Sequence, residues 1–223
     1  MFNFFGAKIF STSLLFAFSV ILLFNACKSD KSSDGSSTSV NYTGALTYEQ
    51  GIANCFAKMK ENRDNGIRSR LTPECLYGAS IPEFKTVDLN GDTFNSNSLK
   101  GKLSVVNFWF TTCKPCIAEI PGFNNIVEKY GTDKINYIAI GKDKREDYLE
   151  CLEKHPWNFR HLPFQRDLIQ DDFKIIWGYP TTLLLDENAK VIYGFSGGKT
   201  DETAPQDLMN KLSPQIDLAL EKM

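Results

Sequence analysis

Histidine is scarce in this chain. Only His155 and His161 occur among 223 residues, and a single Cys-x-x-Cys, Cys113-Lys114-Pro115-Cys116, is present. A structural zinc site takes four ligands, typically two such pairs or one pair with two histidines at short spacing. Neither arrangement can be assembled here, and Cys55 with Cys75 is not metal-spaced, so no metal and no other cofactor is expected. The charge is also without bias, 25 Lys and Arg against 27 Asp and Glu, and no basic stripe is visible. Nucleic acid is therefore not an expected partner. No internal repeat is apparent. A content of 42% hydrophobic and 23% charged residues places the chain among globular proteins rather than disordered or fibrous ones.

The N-terminus reads differently from the rest. Lys8 supplies a basic residue, Ile9 to Phe24 is apolar apart from Ser11, Thr12, Ser13 and Ser19, and the segment closes on Phe24-Asn25-Ala26-Cys27. This ending resembles the lipobox of bacterial lipoprotein signal peptides, in which the cysteine is acylated and becomes the first mature residue; Phe24 stands where Leu is usual. Residues 1–27 are thus read as a signal peptide with Cys27 as the lipidation site. The alternative, an uncleaved anchor, is disfavoured because the apolar run is short for a span. Either way the rest of the chain is expected outside the cytoplasm. Residues 28–46 are Ser-rich and polar, a composition that cannot bury a core and suits a flexible tether at a membrane surface. Roughly 180 residues then remain, enough for one domain with a small extension.

In that remainder, Tyr48, Ile52, Cys55, Phe56 and Met59 fall at helical spacing, which predicts a helix from Thr47 to about Asn62 within a helical extension over residues 47–80. Phe84 to Leu89 predicts a short strand, with Asn90-Gly91 as a two-residue hairpin turn into Thr93-Phe94. Leu103 to Phe110 is apolar and β-prone, as a strand buried on both faces should be. Lys114 to Tyr130 predicts a helix that Pro121 kinks. A strand over 135–140, a helix over 144–154, an extended piece near 159–164, a helical turn around 167–175, a hairpin of strands 181–186 and 190–195, and a last helix over 204–221 complete the order. The fold class is α/β: a mixed central sheet flanked by helices, over residues 81–223.

Cys113 lies where the apolar strand gives way to the helix. Free N–H groups and the helix dipole stabilise a thiolate there, Pro115 is tolerated in the first turn, and Lys114 adds a cation. An acidified, exposed Cys113 is expected to attack, and Cys116, one turn further in, to resolve the mixed disulfide.

The segment Val105-Val106-Asn107-Phe108-Trp109-Phe110-Thr111-Thr112-Cys113-Lys114-Pro115-Cys116-Ile117-Ala118-Glu119-Ile120-Pro121 resembles the active-site strand and helix of the thioredoxin superfamily. It is most similar to the exported, membrane-tethered branch of TlpA/ResA-like thiol–disulfide oxidoreductases, and the similarity covers about Ile81 to the C-terminus. Pro121 matches the family's helix proline. Glu119 matches its acidic residue three positions after the second cysteine, placed to tune the pair or shuttle a proton; a solvated helix carboxylate is the alternative. Thioredoxins themselves carry a buried Asp where this chain has Asn107, and the branch often has Trp where Thr112 stands. Gly178-Tyr179-Pro180-Thr181-Thr182 resembles the cis-proline loop, which implies that Tyr179 and Pro180 pack against the cysteine pair and meet an extended substrate; Trp109 and Lys114 are read as further substrate contacts. The resemblance implies protein substrates with cysteines or disulfides, including apocytochrome c, a membrane electron donor of thiol–disulfide type, and a monomer that acts as a reductase facing the periplasm.

Cys55 and Cys75 lie outside the matched region. A disulfide closing a loop of about 20 residues would contribute around 3 kcal/mol, and it is favoured over free thiols or a second redox pair. Cys151 is read as a core-facing spare thiol, and Trp177 and Phe173 as core. Two competing functions remain. A peroxiredoxin-type thiol peroxidase would carry Thr three residues before its reactive cysteine, where this chain has Phe110. A non-catalytic module binding copper or a partner would use Cys-x-x-x-Cys and a downstream His, and the spacing here is one residue short.

Overall fold

The computed structural model describes residues 45–68 and 71–223. The signal segment, Cys27 and the tether up to residue 44 lie outside the described residues. Seven strands and four α-helices follow in the order α1 (Tyr48–Asp64), β1 (Lys85–Val87), β2 (Thr93–Asn95), β3 (Leu103–Trp109), α2 (Lys114–Tyr130), β4 (Ile135–Gly141), α3 (Arg145–Lys154), β5 (Arg160–Leu162), β6 (Thr181–Leu185), β7 (Val191–Ser196) and α4 (Ala204–Leu220). Short 3-10 turns at Pro73–Leu76 and Ser96–Leu99 and a π-helical turn at Leu168–Asp172 fill the connections.

The main sheet has the order β5-β4-β3-β6-β7. Strand β3 is central and wholly buried, parallel to β4 from Leu103↔Ile135 to Trp109↔Gly141 and antiparallel to β6. A strand covered on both faces has no polar side to show, which is why residues 103–109 read as a nearly continuous apolar run. Side chains alternate between two cores. Val106, Phe108, Ile138, Ile140, Leu183 and Leu185 face α1, Phe173 and Trp177. Val105, Trp109, Tyr137, Ala139 and Leu184 face α2, α3 and α4. The helices therefore cover both faces of a mixed sheet, the thioredoxin-like architecture.

The capping box of α1 fixes its start, with Gln50 N–H donating to the Thr47 hydroxyl and Thr47 N–H donating to the Gln50 amide oxygen. Helix α1 is no separate appendage: Tyr48, Ile52, Cys55 and Leu76 sit in the same core as Phe108 and Phe173. Cys55 and Cys75 are joined in a disulfide with Cα atoms 5.1 Å apart. Replacing both by Ser should lower stability by about 3 kcal/mol, the cost of freeing a loop of this length in the unfolded chain. A fall in the denaturant midpoint at unchanged site chemistry is the expected measurement.

One local expectation changes. Strands β1 and β2 form a separate two-stranded ribbon, and their connection runs over residues 88–92 rather than through a two-residue turn. The reversal is a three-residue loop, with Asp88 N–H donating to Asp92 O at 2.9 Å and Gly91 N–H to Asp88 O at 3.0 Å. The buried Asp88 carboxylate pins it by accepting from Asn90 and Asp92 N–H at 2.9 Å each and pairing with Arg160 at 2.7 Å.

Candidate active site

Topology gathers five segments at one end of the sheet. Residues 110–113 follow β3 and residues 141–143 end and follow the parallel β4. Residues 163–166 follow β5, residues 178–180 precede the antiparallel β6, and Gly197-Gly198 follow β7. The carboxyl ends of parallel strands in open α/β sheets are where such sites form.

Cys113 is the N-cap of α2, and its Sγ accepts from Cys116 N–H at 3.3 Å. The two sulfurs are joined in a disulfide. Pro115 occupies the first turn, where no intrahelical N–H is needed. Cys113 is 4% exposed and Cys116 1%, so the expectation of an exposed Cys113 is not met in the disulfide state. Its position at the helix N-terminus holds, and there the dipole and free N–H groups stabilise a sulfur anion once the bond opens.

One turn beyond Cys116 lies Glu119. Its side chain is fully buried and neither carboxyl oxygen has a hydrogen-bond partner among the described residues. Burial pushes its pKa up to about 8; Lys211 draws it down and Asp207 pushes it back up. The carboxyl is thus mostly protonated at neutral pH, and the reading of a solvated helix carboxylate is excluded. Gly198 closes over it so tightly that a Cβ there would overlap the carboxyl oxygen.

On the other side of the disulfide, the Tyr179–Pro180 bond is cis. The Tyr179 ring packs edge-on against Phe110 at 5.2 Å between centroids, and Lys142 Nζ lies 4.0 Å from the Phe110 centroid and 5.2 Å from that of Tyr179. Asp143 accepts from Thr111 N–H at 2.6 Å and so fixes the turn into Cys113. Cys151 is the free cysteine among the described residues; it faces Thr111 O at 3.8 Å, in a pocket shared with Asp147, Glu150 and His155.

Trp109 requires a correction. It is fully buried, its indole N–H donates to the Tyr148 hydroxyl, and it packs on Trp157 and Tyr148, so it supports the site from the core and meets no substrate. Lys114 is exposed beside the disulfide. Asn107 is buried and donates to the Thr182 hydroxyl at 2.9 Å, tying β3 to β6 where a titratable group would otherwise sit. Among the described residues no three His, Cys, Asp or Glu side chains converge on a metal-sized site, and no helix is long and apolar enough to cross a membrane.

The AhpC/TSA family model matches residues 77–194, which span β1 through most of β7. The chain belongs to the AhpC/TSA family. Its relatives narrow that broad group. A thiol–disulfide oxidoreductase ResA of Bacillus cereus is 32% identical over 147 residues, covering 61% of this chain and 79% of the relative. A thioredoxin-like protein YneN of Bacillus subtilis is 30% identical over 118 residues, with 51% and 68% covered. A crystal structure from Chlorobium tepidum, described as a thiol:disulfide interchange protein DsbE, superposes with a TM-score of 0.57 at 26% identity, over 65% of this chain and 97% of that one. This family member is a thiol–disulfide oxidoreductase. Several residues at its candidate site carry no motif of their own. Lys142 and Asp143 are signalled only by following a strand at the site end of the sheet, and Gly198 only by the Gly-Gly pair after β7.

Proposed function

We propose that this oxidoreductase is an exported protein-disulfide reductase whose working group is the Cys113–Cys116 dithiol. The observation that carries the reading is the closed Cys113–Cys116 pair at the N-terminus of α2, one turn from the buried, unpartnered carboxyl of Glu119. In the reduced protein the Cys113 thiolate attacks one sulfur of a substrate disulfide. A mixed disulfide forms and the second substrate sulfur leaves as a thiolate, which takes a proton. In the fraction of molecules whose Glu119 is ionised, a minority at neutral pH that grows toward pH 8, Cys116 passes its proton to that carboxylate and attacks Cys113 Sγ. The first substrate sulfur then leaves, the internal disulfide closes, and two electrons have moved to the substrate. A carboxyl near pKa 8 suits this step, because its proton affinity is close to that of an ordinary thiol and transfer in either direction is nearly balanced.

Lys114, exposed beside the disulfide, and Tyr179 with Pro180 flank the approach to Cys113 and contact the substrate chain. The N-terminal sequence supports export and lipid attachment through Cys27, with the domain held at a bacterial membrane facing the periplasm. There it works as a monomer, recharged by a membrane thiol–disulfide donor. The ResA-type relatives, named as thiol–disulfide oxidoreductases, support substrates of the cysteine-protein class, and apocytochrome c is the member of that class which the sequence resemblance implies. The direction of electron flow is tested by equilibrating the pair with glutathione buffers. A potential near that of thioredoxin, about −270 mV, is expected; one near about −120 mV would make the protein an oxidant.

A further inference from the structure

The surface on the cis-proline side of the disulfide has a composition that dithiol chemistry alone does not require. Lys142 has no carboxylate within ion-pairing distance among the described residues; its ammonium group instead lies over Phe110 and Tyr179. The nearest acid in sequence, Asp143, is engaged by Thr111 N–H. A cation held over two rings and outside ion-pairing distance of every described carboxylate is oriented and available.

The segment after β5 is laced to the same place. Phe164 N–H donates to Asp143 O and Gln165 N–H to Gly141 O, both at 2.8 Å, so residues 163–166 bracket Lys142. Two features follow. Arg166 is exposed and close enough to Tyr179 to act on its hydroxyl: burial pushes that group up, and Arg166 draws it partly back against Asp143. Phe164 is 68% exposed and has φ of 58°, a left-handed backbone that a bulky side chain rarely adopts. A large apolar ring held in solvent by an unfavourable backbone serves nothing within the domain, and outliers of this kind gather at binding sites. The opposite flank is richer in the other sign, since the pocket beyond Thr111 and Thr112 is lined by Asp143, Asp147 and Glu150, with Lys154 and His155 beside them.

We infer that Lys142 and Arg166, set on the Phe110–Tyr179 shelf beside Phe164, select extended protein segments that carry a carboxylate next to the reactive cysteine. This rests on the reading of Cys113–Cys116 as the exchanging pair. A segment crossing the disulfide places its acidic side chain over Lys142, and an apolar neighbour meets Phe164. Charge at such a rim acts mostly on encounter and on partner choice, and it is screened by salt.

The test uses the reduced full chain and symmetric disulfide dimers of one short peptide with Glu, Gln or Lys on both sides of its cysteine. The readout is the ratio of second-order reduction rates within each protein, which cancels any loss of overall activity in a variant. The wild type is expected to reduce the Glu dimer about fivefold faster than the Lys dimer at low salt, with the ratio falling as salt rises. In Lys142→Met the ratio approaches one, and in Lys142→Glu it inverts. Arg166→Gln, at an exposed position where misfolding is no concern, reduces the ratio by about half. A wild-type ratio at or below one, or a ratio unchanged in both Lys142→Met and Arg166→Gln, would overturn the inference. Wild-type reduction of the uncharged hydroxyethyl disulfide separates the two levels. If it is absent, the dithiol reading fails and takes this one with it; if it is present with an unselective ratio, only the cationic shelf fails.

Discussion

Cys113→Ser is expected to remove insulin-disulfide reduction almost entirely, by at least about 10³-fold, because Cys113 alone is the N-cap of α2 and Cys116, freed in the variant, sits deeper in the first turn at 1% exposure. The remaining cysteines do not substitute. Cys55 and Cys75 are bonded to each other, and Cys151 is a partly buried thiol whose pKa burial pushes up, with Asp143 adding to the effect. A thiol raised in this way is a poor nucleophile at neutral pH. Folding should survive the substitution, since Ser caps helices well and can take the N–H of Cys116 as the sulfur does. Circular dichroism unchanged with activity lost is the expected pair of results. Full activity in the variant would remove Cys113 from the mechanism.

Glu119→Gln carries the second large effect, and pH gives it direction. The native carboxyl has its pKa raised from 4.5 to about 8, so between those values the folded chain holds a proton that the unfolded chain has released. Stability therefore falls as pH rises across that window, by a total on the order of 5 kcal/mol for a fully buried group. The Gln variant, with nothing to ionise, should lose this slope and be the more stable protein above pH 8. Its catalysis should move the other way. Without a carboxylate to accept the Cys116 proton, resolution of the mixed disulfide slows by about 10²-fold, and the inflection near pH 8 in the wild-type rate disappears. A Gln variant that kept that inflection would assign it to another group.

Part of this was legible in the residues. Strand β3 and helix α2 are marked by an unbroken apolar run and by Pro115 and Pro121 at stated offsets from the cysteines, features that depend only on local sequence. The pairing of Tyr179-Pro180 with that helix was reachable through family resemblance, not through spacing. Trp109 shows why the remainder was hidden. A strand buried on both faces has no alternation to reveal which way a side chain points, so an aromatic residue near the motif could be taken for a substrate contact when it is core. Lys142 and Phe164 reach the site through the parallel register of β3, β4 and β5, which local periodicity does not encode. The contact between Gly198 and Glu119 needs the whole sheet to close. The three-residue β1–β2 loop is pinned by one buried carboxylate, Asp88, whose partner Arg160 comes from a distant strand.

The most direct measurement of the central claim is to trap the intermediate. Reduced Cys116→Ser protein, mixed with a disulfide-bonded peptide and digested without reductant, should yield a stable one-to-one adduct whose only modified fragment contains Cys113. An adduct on Cys151, or no adduct while the peptide is still reduced, would contradict the assignment of Cys113 as the attacking sulfur and Cys116 as the resolving one.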